Sequence, residues 1–306
     1  MANILDGNAL AKQIKEQIAE QIARDKLEVS LAVVLVGDDP ASRIYVNHKK
    51  RDCEQCGITS HEYILPAEAT QAQVIELVQA LNGDDEVNGV LIQQPFPMGI
   101  DVVAVNEAVS AFKDVDGFRA ETVGRLAIGA ETFKSCTPAG VMELIKSTGV
   151  QISGKECVVV GRSNIVGKPM ALMLLNESGT VTVCHSRTRD LAEVTRRADI
   201  LVSAVGVANL ITADMVKEGA VVIDVGMNRG GDGKLCGDVE FAAVSAKIGD
   251  SGWITPVPGG VGPMTRAMLM SNTLAAFRMQ RSSSGVCQGS RALPDDAEGE
   301  RSSHRV

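Results

Sequence analysis

The sequence predicts an α/β protein of two domains flanking a cleft, the C-terminal one built on a doubly wound parallel sheet. Three observations predict it. Short β-branched runs closed by glycine alternate with amphipathic stretches of helical period along most of the chain. The 306 residues exceed one modal domain, and 45% hydrophobic content is ample for two cores. In the second half, Val158–Val159–Val160–Gly161 leads through a polar loop to Gly167–Lys168–Pro169, a strand–loop–helix turn.

The elements follow in order. Leu10, Ile14, Ile18 and Ile22 recur every fourth residue among polar neighbours and predict an opening amphipathic helix. Leu31–Val36 reads as a buried strand closed by Gly37–Asp38–Asp39, and Pro40 starts a helix through Tyr45 and Lys49 that Gly57 caps. A short strand around Glu62–Leu65, a helix carrying Val74, Leu77, Val78 and Leu81, and a strand Gly89–Ile92 complete parallel βαβ units. Thr137–Pro138 predicts a helix with Thr137 as N-cap, ending at Gly149. Strands are then expected near 157–160, 181–184, 200–204 and 221–225, with helices between them. Gly230–Gly231–Asp232–Gly233 predicts a hairpin tip or flap. A last helix runs from about Met264 to Arg281, and the Ser-, Gly- and charge-rich residues 282–306 are expected to be a disordered tail.

The bulk numbers restrict the function. A net charge of −8 argues against a nucleic-acid surface. Met1–Gly7 does not read as a signal peptide, no apolar run approaches membrane-spanning length, and a cytoplasmic location is expected. Seven cysteines, an odd count, do not form a disulfide framework. Cys53 and Cys56 have no second pair to complete a metal site and are expected as surface or half-buried thiols. No metal is expected.

Several residue groups carry chemistry. The loop holding Gly161, Arg162, Ser163, Ile165 and Gly167 offers backbone N–H groups and a helix N-terminus to a phosphate, although it also reads as a tight turn. The strand Val181–Cys184 ends in His185–Ser186–Arg187, where an NAD site usually carries an acid. A hydroxyl and an arginine, with Arg162 near, suit a 2′-phosphate instead, which points to NADP. Tyr45 and Lys49 share a helix face, as a stacking ring beside an amine or as a half-buried tyrosine beside a solvated lysine. Gln93 stands at a strand's C-terminal end, where it either fixes a ligand or closes its own loop. In Lys113–Asp114–Val115–Asp116–Gly117 a carboxylate either pairs with a planar donor edge or caps a turn. The run Pro256–Val257–Pro258–Gly259–Gly260–Val261–Gly262–Pro263–Met264–Thr265 is shaped backbone that lets a flat ligand approach closely.

Taken in order, with Cys136–Thr137–Pro138 and the Gln93–Pro97 segment, these motifs resemble the bifunctional methylenetetrahydrofolate dehydrogenase/methenyltetrahydrofolate cyclohydrolase (FolD) family, over about Ile4 to Arg281. The resemblance implies a folate-binding catalytic domain of residues 1–138 plus 264–281 and an NADP-binding, Rossmann-like domain of residues 139–263. It implies Lys49 as the key cyclohydrolase residue, Gln93 as its hydrogen-bond partner, and Asp116 on the amino-pyrimidine edge of the pterin. Tyr45 would stack on the folate ring, and Gly259 and Gly260 would line the folate side of the cleft. The loop Gly161–Gly167 would carry the pyrophosphate, and Arg162, Ser186 and Arg187 would select NADP. A homodimer joined through the cofactor domains is implied, with the Gly230 region as candidate contact. The sequence departs from the family at Gln94–Pro95–Phe96–Pro97 and at Phe118–Arg119–Ala120–Glu121–Thr122, both expected near the folate cleft. A monofunctional dehydrogenase, a silent folate- or nucleotide-binding protein and a different dehydrogenase on a similar fold remain the alternatives.

Overall fold

The structure, a computed structural model, describes residues 1–231 and 233–286. Two parallel sheets organise it. The smaller has the order β3–β2–β4, with β2 (Ser30–Val36) between β3 (Thr59–Leu65) and β4 (Gly89–Ile92). Every residue of β2 is buried, as a central parallel strand covered on both faces requires. β3 starts three residues before its predicted start, because Thr59–His61 is a polar, partly exposed edge that carries no hydrophobic signal.

The preceding helix α1 (Gly7–Asp25) buries Ile18 and Ile22 and half-buries Leu10 and Ile14, the predicted stripe. Asp6 caps it by accepting from the Asn8 and Ala9 N–H groups. Helix α2 (Pro40–Cys56) begins with Pro40 and with Asp39 accepting from Ser42 N, and Gly57 ends it at φ 74°. These caps fix where α2 starts and stops, and its packing on α1, α10 and the small sheet orients the face that carries Tyr45 and Lys49. Helix α3 (Gln71–Gly83) follows β3, and α4 (Val102–Ala108) and α5 (Ala120–Ala127) follow β4; the sequence reading contained neither of the last two.

Helix α6 (Cys136–Ser147) links the two sheets. It starts a residue before the predicted cap, so Thr137 lies inside the helix, where its hydroxyl meets that of Thr265 at 3.0 Å. The larger sheet has the order β1–β11–β8–β7–β5–β6, all parallel. Its strands are β5 (Glu156–Val160), β6 (Thr180–Cys184), β7 (Ile200–Ser203) and β8 (Val221–Asp224), as expected, together with two-residue β1 (Asn3–Ile4) and β11 (Trp253–Ile254). Helices α7 (Gly167–Asn176) and α8 (Leu191–Thr195) fill the first two connections. The third holds only a 3₁₀ turn, Ala213–Met215, where a helix was predicted.

From β5 the chain crosses to β6 on one side and then returns to β7 on the other. That reversal opens a crevice at the C-terminal ends of β5 and β7, where open α/β sheets take their ligands. The predicted hairpin is present as antiparallel β9 (Asn228–Arg229) and β10 (Leu235–Cys236), with Asp232 at its tip outside the described residues. After α9 (Phe241–Ile248) and β11, the last helix α10 (Val261–Val286) packs on α1, α2 and α6. It continues five residues past the expected end at Arg281; the rest of the predicted tail lies outside the described residues. Cys53 and Cys56 are fully buried rather than surface thiols, and burial pushes both up to about 12, which leaves them inert at neutral pH. Among the described residues no helix is long and apolar enough to cross a membrane.

Candidate active site

The site begins at the C-terminal end of β4. Gln93 N donates to Val34 O at 2.9 Å, so the chain is still held in sheet register when it reaches this side chain. Gln93 is buried, and its Nε2 donates to the carbonyl of Gln94. That bond fixes which way the amide faces and turns Oε1 outward as an acceptor. Lys49 Nζ, half-buried on α2, donates to this oxygen at 2.8 Å. A neutral carbonyl oxygen brings no counter-charge. Burial therefore lowers the lysine below the usual ammonium range, with Arg266 adding to the fall and Asp116 opposing it.

The turn Lys113–Gly117, which follows α4 and is held against β4 by Val90 N donating to Lys113 O at 2.9 Å, sorts the two carboxylates of the Asp114–Asp116 motif. Asp114 is the cap: it accepts from Phe118 N, Arg119 N and, at 2.7 Å, the Thr122 hydroxyl. Gly117 lies so close to the Lys134–Ser135 backbone that a Cβ would stand 2.8 Å from Ser135 N, which pins the turn. Asp116 takes no part in that cap, and burial pushes its carboxyl up to about 6 despite the opposing pull of Lys49. Sequence reading missed the layer behind it. The Cys136 thiol hydrogen-bonds within this group, 3.3 Å from Val115 O and also to Asp116. Asn272 of α10 donates to Val115 O at 2.7 Å and Lys134 O at 2.8 Å. Cys136 stood in a quoted motif, whereas Asn272 has no local signal at all. Asp52, one turn beyond Lys49, is buried between Lys15 at 2.6 Å and Arg266 at 3.3 Å and ties α2 to α1 and α10.

The remaining folate-side expectations have different surroundings. Tyr45 is 44% exposed, with its hydroxyl 3.5 Å from Met227 Sδ, a contact between α2 and the segment after β8. Gly259 (φ 105°) and Gly260 sit against the start of α1: Asn8 N donates to Gly259 O, and a Cβ on Gly7 would overlap Gly260 O. The Phe118–Thr122 departure is turned toward α4. The Arg119 guanidinium donates to the carbonyls of Glu107 and Val109, and Glu107 accepts from Ala120 N. This change completes helix ends; its arginine contacts α4, not Lys49, Gln93 or Asp116. Lys113 is likewise structural, with Nζ on the carbonyls of Leu81 and Asp84.

At the crevice of the larger sheet, Gly161 N donates to Cys184 O at 2.9 Å, which brings the loop after β5 beside the loop after β6. Gly161 has φ 129°, and a Cβ there would lie 2.4 Å from Ala204 O; one on Gly167 would lie 2.3 Å from Gly161 O. The loop is therefore flush backbone, a cradle that a side chain would fill. Ser163 shapes it by accepting from Val166 N and Gly167 N. Ile165 O accepts from Ser135 Oγ at 2.7 Å, which ties the loop to the residue before Cys136. Arg162, Ser186 and Arg187 are exposed, in the loops that follow the paired ends of β5 and β6. Arg187 N donates to His185 Nδ1 at 3.1 Å, which tightens that turn. A dinucleotide fits this donor set, with the cradle for its pyrophosphate and two arginines for a further phosphate.

A half-buried amine held by a buried amide beside a carboxylate, with a phosphate-cradling crevice at the larger sheet, is the arrangement of an enzyme that works on a small-molecule substrate with a nucleotide cofactor. Comparison with known proteins agrees. Residues 5–116 match the model of the tetrahydrofolate dehydrogenase/cyclohydrolase catalytic domain, and residues 135–281 match that family's NAD(P)-binding domain. The bifunctional protein FolD of Magnetococcus marinus is 55% identical over 278 residues, 90% of this chain and 96% of that protein. The crystal structure of the Campylobacter jejuni bifunctional FolD superposes with a TM-score of 0.88 at 48% identity, covering 92% of this chain and all of that one. That of the Trypanosoma brucei enzyme, complexed with NADP cofactor and inhibitor, gives 0.84 at 38% identity, covering 92% and 98%. The chain belongs to the tetrahydrofolate dehydrogenase/cyclohydrolase family.

Proposed function

We propose that one cleft serves two successive reactions: NADP-dependent oxidation of 5,10-methylenetetrahydrofolate to 5,10-methenyltetrahydrofolate, then hydrolysis to 10-formyltetrahydrofolate. The chain is a methylenetetrahydrofolate dehydrogenase (NADP+) and methenyltetrahydrofolate cyclohydrolase of one-carbon metabolism. The observation that carries the second activity is the Lys49–Gln93 hydrogen bond beside Asp116.

The chemistry follows from charge. Methenyltetrahydrofolate is a cation, and an ammonium beside it would repel it. Burial and the chargeless Gln93 acceptor shift Lys49 toward the neutral amine, the form that takes the proton of the water attacking the methenyl carbon. The bond from that carbon to N5 then opens and leaves the formyl group on N10. Asp116 accepts the paired N–H donors of the amino-pyrimidine edge, and Tyr45 stacks on the ring. Gly259 and Gly260 line the substrate side through their backbone. Bound NADP supplies the hydride acceptor. The Gly161–Gly167 loop, with Ser163 and Ile165, holds the pyrophosphate, and Arg162, Ser186 and Arg187 hold the 2′-phosphate. The protein's part in hydride transfer is positioning, because the methylene is already activated by its two nitrogens.

We assign residues 1–138 plus 264–281 to the folate-binding unit and 139–263 to the cofactor unit, with the two-residue strand β1 reaching across to pair with β11 at the edge of the cofactor sheet. We place the enzyme in the cytoplasm as a homodimer joined through its cofactor units, with the exposed Leu235 hairpin as the contact. The test is a spectrophotometric assay of the purified chain on methylenetetrahydrofolate with NADP and with NAD, and on methenyltetrahydrofolate alone. Reduction of NADP in preference to NAD, together with accelerated methenyl hydrolysis, is expected. Absence of either activity overturns the reading.

A further inference from the structure

A buried carboxylate beside the larger sheet accepts five hydrogen bonds and is one that the two reactions do not use. Asp238 follows the β9–β10 hairpin and is completely buried. Its Oδ2 accepts from Ser203 Oγ at 3.1 Å, Val205 N at 2.8 Å and Gly206 N at 3.3 Å. Its Oδ1 accepts from Val207 N and Asn228 Nδ2, both at 3.0 Å. Three consecutive N–H groups of the loop after β7 thus converge on one carboxylate. Such a nest ordinarily binds an external anion; here the protein fills it from within.

Asp238 is itself held. Its N–H and that of Val239 donate to the two oxygens of Asp224, each at 2.9 Å, and Gly226 N donates to Asp224 Oδ1 at 2.9 Å. A Cβ on Gly226 would stand 2.1 Å from Asp238 Oδ1, and one on Gly237 would stand 1.8 Å from Asp224 Oδ2. No side chain fits at either glycine, so the segments around 226 and 237 close tightly on the two acids. The pair therefore fixes two functional segments. One is the 204–207 loop, whose Ala204 carbonyl lies against Gly161 and forms the opposite wall of the crevice. The other is 226–228, which presents Met227 to Tyr45.

We propose that Asp238 is a positioning residue for the dehydrogenase reaction: it sets the loop 204–207 against the Gly161 cradle and thereby forms the seat of the cofactor. This rests on the assignment of the cradle to NADP. Its hydrogen bonds go to Ser203, the 205–207 backbone and Asn228, and none reaches Lys49, Gln93 or Asp116, so the two activities separate its role from a general loss of structure.

The test uses Asp238→Asn in the full chain, with NADP affinity by titration calorimetry, methenyl hydrolysis without cofactor, and thermal melting. An amide keeps one acceptor oxygen and sets an NH₂ among the converging N–H groups. NADP binding is expected to weaken by about tenfold or more, with hydrolysis within about twofold of wild type. Ser203→Ala and Asn228→Ala each remove one donor and keep the acid. They are expected to weaken NADP binding by a smaller factor, and they decide the matter if Asp238→Asn does not fold. Unchanged NADP affinity in the folded variants, or a parallel loss of NADP binding and hydrolysis, overturns the proposal. Wild-type protein that fails to bind NADP overturns the cradle assignment instead, a separate result.

Discussion

Replacing Gly161 with alanine adds one methyl group at the narrowest point of the cofactor crevice. Its Cβ would lie 2.4 Å from Ala204 O and 3.0 Å from the carbonyl carbon, where ordinary contact is about a full ångström longer than the first distance. The backbone φ of 129° is a second cost, since side-chain-bearing residues rarely adopt it. Strain of that kind costs about 1–3 kcal/mol, and overpacking costs about as much again. Relief requires the ends of β5 and β7 to part, which deforms the cradle as well as destabilising the sheet. A loss of about 3 kcal/mol corresponds to a fall in Tm of roughly 6–12 °C for a cooperative unit of this size. Thermal melting and an NADP titration of Gly161→Ala check it. The expected result is a lowered Tm and an NADP KM raised by about tenfold or more, with hydrolysis of supplied methenyl substrate less affected. A variant with wild-type Tm and wild-type NADP KM would refute the close approach and the placement of the cofactor on it.

Two further outcomes follow from the site. Asp116 must be ionised to accept the pterin's donors, so kcat/KM for both reactions should fall about tenfold per pH unit below about 6, and Asp116→Asn should remove that limb along with most of the folate affinity. The stability slope has the opposite sign: the folded carboxyl, at about 6, holds its proton more tightly than the unfolded one at 3.8, so this group's contribution is full below 3.8 and declines as pH rises through 6. Arg187→Ala should cut the preference for NADP over NAD by about 10–100-fold, the value of one or two charge-assisted hydrogen bonds, with kcat for methenyl hydrolysis unchanged. An NADP/NAD ratio equal to wild type would remove Arg187 from the 2′-phosphate site.

Where the core repeats with a period, the elements were legible. β2 and Gly89–Ile92 bury every residue that announced them, and the α1 stripe buries Ile18 and Ile22 and half-buries Leu10 and Ile14. Two-residue β1 and β11 give periodicity nothing to act on, and their pairing joins residues about 250 apart in sequence. Helix α5 was illegible because only Thr122 and Leu126 of its eight residues are buried. Thr137 has the chemistry of a cap, but α10 uses its hydroxyl from outside the local sequence. The same division runs through the site. Tyr45 and Lys49 share a helix face that spacing alone reveals. The Lys49–Gln93 bond crosses 44 residues and entered as an implication of family resemblance. Asn272 behind Cys136, and Asp238 beneath the loop after β7, are tertiary facts with no local pattern.

The central claim is that one amine in this cleft performs the hydrolysis while the cofactor site works beside it. Lys49→Met, assayed separately for NADPH formation and for hydrolysis of methenyltetrahydrofolate, tests it most directly. Hydrolysis should collapse in a folded variant that still binds folate and NADP. Hydrolysis that survives the substitution would make Lys49 a bystander and contradict the account.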